Sequence, residues 1–224
     1  MRRLSFALLL LCVSGVASAL KSTAPAAVSL DGRWSVNTAL SDDAEQMLTQ
    51  RRDEDMKRMQ RQEEQRRRRM QNDPFAWEPE FAPAERTPQN RAMMEERERA
   101  VRQMLGMSKF LNIKQSAGGG QLEIVSEFET RRLSSGVRSQ VSLPQGQLAD
   151  AEAGWDGEWF VIQRNARQGP RITERYRWIK KTDQLEALIT IKGDSALAGM
   201  KVRRVFDRDV AQAAPMNPAA GPVR

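Results

Sequence analysis

Between residues 155 and 207 the sequence alternates short runs of β-branched and aromatic residues with clusters of turn formers. The runs are residues 159–164, 171–180, 184–192 and 200–207, each separated from the next by a few residues. This is the pattern of hairpin-linked antiparallel strands, and it commits the chain to a meander. Asp156-Gly157 between two such runs is a strong short hairpin cue.

Upstream, more strands extend the meander. Residues 30–36 alternate Trp34 and Val36 with Arg33 and Ser35, behind the turn-forming Asp31-Gly32. Residues 110–115 and 122–130 flank Ala117-Gly118-Gly119-Gly120, a second hairpin signal. Val137, Ser139, Val141 and Leu143 alternate with polar residues, and 149–155 reads as a further strand. The fold class is mainly β with a helical insertion (α+β). We expect an eight- or nine-stranded antiparallel up-and-down barrel over residues 30–40 and 108–209, because closure removes the exposed edges of a long sheet.

Residues 41–107 change period. Ser41 is placed to cap a helix, with Asp42 and Asp43 in its first turn where the dipole favours negative charge. Ala44, Met47, Leu48, Met56 and Met59 form a narrow apolar stripe, but residues 60–69 hold no apolar side chain. That half relies on acid-first pairs four apart, from Asp53–Lys57 to Glu64–Arg68, each contributing about 0.2–0.5 kcal/mol. We expect the helix to dock by its first half and project by its second. A connector at 72–87, broken by Pro74, Pro79 and Pro83, carries Phe75, Trp77 and Phe81. Those rings either pack onto the sheet or form a binding strap. Thr87-Pro88 then opens a second helix with Met93, Met94, Ala100, Val101, Met104 and Leu105 facing the core, stopped at Gly106. Two helices are thus expected between strands one and two.

At the other end of the size scale, Met1-Arg2-Arg3, the apolar residues 4–16 and Ala17-Ser18-Ala19 read as a signal peptide cleaved after about Ala19. Its apolar run is shorter than the roughly 20 residues needed to span a bilayer, so no transmembrane helix is expected in the mature chain. The expected location is periplasmic or secreted, in a bacterial envelope. Residues 20–29 read as a flexible lead and 210–224, rich in Ala, Pro and Asn, as a disordered tail.

Gly32-Arg33-Trp34 resembles the Gly-x-Trp motif on the first strand of the lipocalin/calycin barrels. In that family an arginine from the final strand packs over the tryptophan, and Arg203 or Arg204 stands where it would fall. Residues 204–208 also look like the barrel end of uncharacterised exported bacterial proteins with lipocalin-like domains. The resemblance covers residues 30–36 and about 109–209. It implies a barrel able to carry a small apolar or amphipathic ligand, while the helical insertion, which departs from the family pattern, would fill or cap its mouth.

Chemistry is limited by composition. There is no histidine, and the single Cys12 leaves with the signal segment. Ser-His and Cys-His catalysis, imidazole or thiolate metal sites and histidine-ligated haem are thereby excluded. No catalytic residue, metal or cofactor is assigned, and a carboxylate-dependent enzyme is the weaker alternative. Ile172, Glu174, Tyr176 and Trp178 share the face of their strand expected to point inward. A buried Glu174 needs a cationic partner, for which Arg204 is the expected choice. Trp159, Glu174, Tyr176, Trp178 and Arg204 are the candidate interior ligand residues. Of the 36 basic side chains, the 34 that remain without Arg2 and Arg3 exceed the 29 acidic ones by five. Arg66, Arg67, Arg68 and Arg69 are the candidate partner- or anion-binding residues, suited to an envelope protein, anionic lipid or lipopolysaccharide. Nucleic acid is not expected, because no stacking aromatics are interleaved with the arginines. The leading expectation is a non-enzymatic binding protein of the envelope with a basic helical arm; the alternative is a lipocalin-like carrier.

Overall fold

A computed structural model describes residues 20–26, 28–71, 88–143, 148–167, 169–193 and 196–209. Ten strands form one antiparallel sheet: β1 (Gly32–Val36), β2 (Phe110–Gln115), β3 (Gln121–Val125), β4 (Thr130–Ser134), β5 (Arg138–Ser142), β6 (Leu148–Asp156), β7 (Trp159–Ala166), β8 (Pro170–Ile179), β9 (Gln184–Gly193) and β10 (Lys201–Arg208). Their order is β4-β3-β2-β1-β10-β9-β8-β7-β6-β5, so every neighbour is a chain neighbour except β1 with β10, the first and last strands. Two helices, α1 (Ala44–Gln71) and α2 (Pro88–Met104), lie between β1 and β2.

The expected count of eight or nine strands is corrected to ten because residues 122–130 are not one strand. Ser126 breaks them. Its hydroxyl accepts from the Phe128 and Glu129 amides at 3.2 and 3.1 Å while its own amide donates to Glu129 O at 2.9 Å. A serine side chain has replaced the ladder with a local turn, and β3 and β4 become a hairpin.

Closure is also different from expectation. β4 and β5 end the sheet and share no ladder. The sheet curls until, among the described residues, one parallel bridge, Ser135 to Ala153, joins the two halves. The lead 20–29, expected to be flexible, is tied in beside that bridge. Lys21 and Trp155 exchange both backbone hydrogen bonds at 2.9 Å, and the Ala24 amide donates to Gly118 O at 2.9 Å. Gly119 permits this approach. It sits at φ +70°, and a Cβ there would stand 2.4 Å from the Ala24 Cβ.

The inner face supplies the core. On β8, Ile172, Glu174 and Tyr176 are buried while Arg171 is exposed, and on β7 Phe160, Ile162, Arg164 and Ala166 share the buried phase. Trp34, Trp155, Phe160 and Phe206 are its largest fully buried side chains, with Trp155 and Phe160 meeting edge-on at 5.2 Å. A buried side chain of this size contributes about 1.5–3 kcal/mol.

The arginine over Trp34 is Arg208, not Arg203 or Arg204. Trp34 and Arg208 are register partners across β1 and β10, with the guanidinium 4.1 Å from the ring centroid. Arg208 also donates to Asp31 O at 2.8 Å and to both Asp183 carboxylate oxygens at 3.0 Å. Arg203, on the outer face, instead donates to Glu186 at 2.5 Å and Leu40 O at 2.9 Å.

Helix α1 is capped by Asp43 rather than Ser41. Asp43 Oδ1 accepts from the Gln46 amide at 2.9 Å, whereas the Ser41 hydroxyl accepts from the Val205 amide at 2.9 Å. Ala44 and Leu48 are buried, but Met56 and Met59 are 54% and 68% exposed, so docking ends after the first turns. In α2, Ala100 is buried while Met93 is 67% exposed; Leu105 is buried just beyond the helix, and Gly106 ends it at φ +60°. Surface ion pairs Glu45–Arg102 at 2.8 Å and Arg52–Glu98 at 3.7 Å link the helices. The connector rings Phe75, Trp77 and Phe81 lie outside the described residues, as do the signal segment and the tail.

Candidate functional site

The inner phase of three strands brings three ionic side chains together. Arg131 on β4 shares the inward phase with Leu133, Arg164 on β7 with Ile162, and Glu174 on β8 with Ile172 and Tyr176. Arg131 Nη1 donates to both carboxylate oxygens of Glu174 at 2.8 Å. Arg164 Nη2 donates to the same carboxylate, and the Tyr176 hydroxyl donates to it at 2.6 Å. Arg131 Nη2 donates to the Tyr176 oxygen at 3.3 Å. Glu129, in the turn before β4, stands 3.3 Å from Arg131 Nε and 4.0 Å from Arg164 Nη1.

Electrostatics locks these charges in place. Burial alone would raise the Glu174 pKa, yet the two arginines beside it and the hydrogen bonds from Tyr176 and Arg131 bring it down to about 2. Burial opposes charge on Arg131, but Glu174, Tyr176 and Glu129 hold its pKa above the ordinary value. Burial and the Glu174 charge push the Tyr176 phenol up. The carboxylate is ionised, the guanidinium charged and the phenol neutral through the physiological range. Held in its ionised form, Glu174 has no proton of its own to give as a general acid.

Among the described residues, two cavities adjoin this cluster. The larger, about 250 Å³, lies at the seam where β4 faces β5 and β6, and its lining joins Leu133, Val141, Ala151 and Ile162 to Glu129, Arg131 and Arg164. The smaller, about 20 Å³, lies on the Glu174–Tyr176 side, below Gly106 and Ser108, and is about the size of one water. Its lining also includes Ile189 and Phe206.

Of the residues expected from the sequence, Glu174 and Tyr176 meet in this cluster. Arg204 does not: it is buried on the inner face of β10, where its Nη2 donates to Ser108 O at 3.4 Å, and burial lowers its pKa. Glu174 is instead reached by Arg131 and Arg164, because the curl of the sheet brings β4 across the interior toward β8. Trp159 is on the outer phase of β7, under Arg177 and Arg175 at 4.5 and 5.1 Å, so it is not an interior residue. Trp178 is half-buried at the Trp34 end, with its Nε1 donating to Asp183 at 2.8 Å. Arg66, Arg67, Arg68 and Arg69 are exposed on α1, with Arg67 pairing to Glu63 at 3.6 Å. They line neither cavity.

Glu129, Arg131 and Arg164 were not singled out in the sequence. Arg164 was within reach, since it continues the alternation of Phe160 and Ile162. Arg131 was hidden, because the Ser126 turn resets the phase on which its orientation depends.

No family model matches this chain, and no curated protein sequence matches it. Among solved structures, it is similar to apo lipid binding protein 8 of Caenorhabditis elegans, at 13% identity and a TM-score of 0.44 over 82% of this chain and 100% of that one. Similar too are fatty-acid-binding protein 1 of Echinococcus granulosus, at 10% identity and 0.42 over 80% and 96%, and human cRBP IV, at 14% and 0.42 over 81% and 98%.

Proposed function

We propose that this chain binds a small, largely apolar ligand in the seam cavity and has no catalytic role. One observation carries the reading: the lining of the 250 Å³ cavity joins the apolar Leu133, Val141, Ala151 and Ile162 to the guanidinium groups of Arg131 and Arg164. Binding sites combine apolar walls with a few convergent polar groups, and this lining has both. At 250 Å³ it falls below the roughly 300–1,000 Å³ of sites for drug-sized molecules, so the ligand is a short chain or single ring. The seam between β4 and β5, where no ladder closes the sheet, is its route of entry. Titration with 1-octanol tests this by calorimetry. Saturable binding is expected, lost in Val141→Trp, whose ring fills the cavity from its partly exposed rim, while the thermal melt is kept. Absence of binding to the folded protein, or binding unchanged in Val141→Trp, would contradict it.

The exposed second half of α1 favours a second, additional role. No described side chain from Thr49 to Arg69 is buried. We propose that Arg66, Arg67, Arg68 and Arg69 dock this arm on anionic lipid, and that the chain works in a bacterial envelope after removal of residues 1–19. Co-sedimentation with phosphatidylglycerol vesicles, lost when residues 60–69 are deleted, tests the first. The mass of the protein recovered from a periplasmic fraction tests the second.

A further inference from the structure

The Arg131–Arg164 wall invites an anionic ligand, but its charge is already spent. Two guanidinium groups face two carboxylates, Glu174 and Glu129, and both oxygens of Glu174 are taken up by Arg131, Arg164 and Tyr176. Arg132, which also lines the seam cavity, is paired with Glu123 at 2.8 Å, so a ligand carboxylate entering there would leave water for a site with no unbalanced positive charge. It would also stand beside Glu129, which lines the same cavity. Desolvation and like-charge repulsion both oppose it. Hydrogen-bond donors are different. Each guanidinium carries more N–H groups than these contacts consume, and carboxylates donate nothing when ionised. The cavity wall therefore offers surplus donors with no surplus charge.

We propose that the ligand is neutral, with an apolar body and a single hydrogen-bond acceptor, a hydroxyl or carbonyl oxygen, directed at Arg131 and Arg164. This rests on the ligand-binding reading above and sharpens it: the built-in Glu174 carboxylate occupies the place an acid headgroup would take, so the chain rejects the corresponding acids. Glu174 thus acts as a specificity-determining residue without touching the ligand.

The test compares 1-octanol, octanoate and n-octane by calorimetric titration of the folded protein near pH 7. Binding of 1-octanol at least about tenfold tighter than either of the others is expected, since acceptor and charge each shift affinity by about 1.4 kcal/mol or more. Octanoate binding as tightly as 1-octanol overturns the exclusion of acids, and n-octane binding as tightly overturns the acceptor. Failure of all three to bind removes the seam site itself, and is thereby distinct from a wrong choice of ligand class. In Glu174→Gln the wall gains a positive charge, and octanoate should overtake 1-octanol. Glu129→Gln, at a partly exposed position, makes the same change of charge and is read in its place if Glu174→Gln does not fold. An unaltered preference in the folded variant contradicts the role assigned to the resident carboxylates.

Discussion

Arg131 on β4 and Glu174 on β8 lie six places apart in the order of the sheet, yet Arg131 Nη1 bonds both oxygens of the Glu174 carboxylate at 2.8 Å. The pair ties the free end of the sheet across the interior to its other half. It does so close to where the β4–β5 ladder is missing. A buried ion pair of this kind is poor evidence of net stabilisation, but breaking one side leaves an uncompensated charge in the interior.

Glu174→Gln and Arg131→Met should therefore each destabilise the protein by about 3–5 kcal/mol, seen as a lower midpoint in urea. The double variant should cost less than the sum of the two, because it removes both charges together. Simple additivity would contradict an energetic coupling between them.

Acid should unfold the protein through the same carboxylate. The Glu174 pKa is about 2 in the folded chain against 4.5 for a free glutamate. A depressed folded value contributes stability that is present above the unfolded pKa and is lost as pH falls from about 4.5 toward 2, on the order of 3 kcal/mol in all. Glu186, whose burial is outweighed by hydrogen bonds from Arg203 and Arg177, is also lowered and adds to the loss with the same sign. Urea midpoints at pH 7 and pH 3 should differ markedly in the native protein and much less in Glu174→Gln. Equal pH dependence in both would contradict the assignment.

Gly119→Ala tests the docking of the amino-terminal segment. The residue sits at φ +70°, and its new Cβ would meet the Ala24 Cβ at 2.4 Å. Backbone strain of about 1–3 kcal/mol is expected, together with faster amide exchange at Lys21 and Trp155, whose mutual hydrogen bonds depend on the same segment. Gly118→Ala, also at positive φ but with nothing near its Cβ, should leave that exchange unchanged.

Arg208 and Arg204 should respond to different degrees. Arg208→Ala loses the cation over Trp34 and a donor to Asp31 O, about 1–2 kcal/mol with a change in tryptophan fluorescence. Arg204→Met exchanges a buried cation, whose Nε has no acceptor among the described residues, for an apolar chain of similar length. It should cost less than about 1 kcal/mol in the same urea assay.

Much of this fold is legible in local patterns. The alternation of Ile172, Glu174 and Tyr176 marks one inward face, Asp156-Gly157 marks a hairpin, and Gly106 marks the end of α2, because each depends on neighbours in the chain. The strand count fails where the deciding interaction is a serine hydroxyl at Ser126. The partner of Glu174 fails for another reason. Arg204 stands on a neighbouring part of the meander, whereas Arg131 arrives only through the curl of the whole sheet, which no short window of sequence records. Likewise the arginine over Trp34 is fixed by the β1–β10 register, which sets Arg208 opposite the ring rather than Arg203 or Arg204 further back along β10. The seam cavity itself arises from a ladder that does not form, and local alternation carries no sign of it.

Ligand placement is the central claim, and intermolecular nuclear Overhauser effects in the complex with 1-octanol test it most directly. Contacts from the alkyl chain to the Leu133, Ala151 and Ile162 side chains, with the carbinol end nearest Arg131 and Arg164, are the predicted result. Contacts confined to the exposed Met56, Met59 and Met93 of the helices would contradict the account.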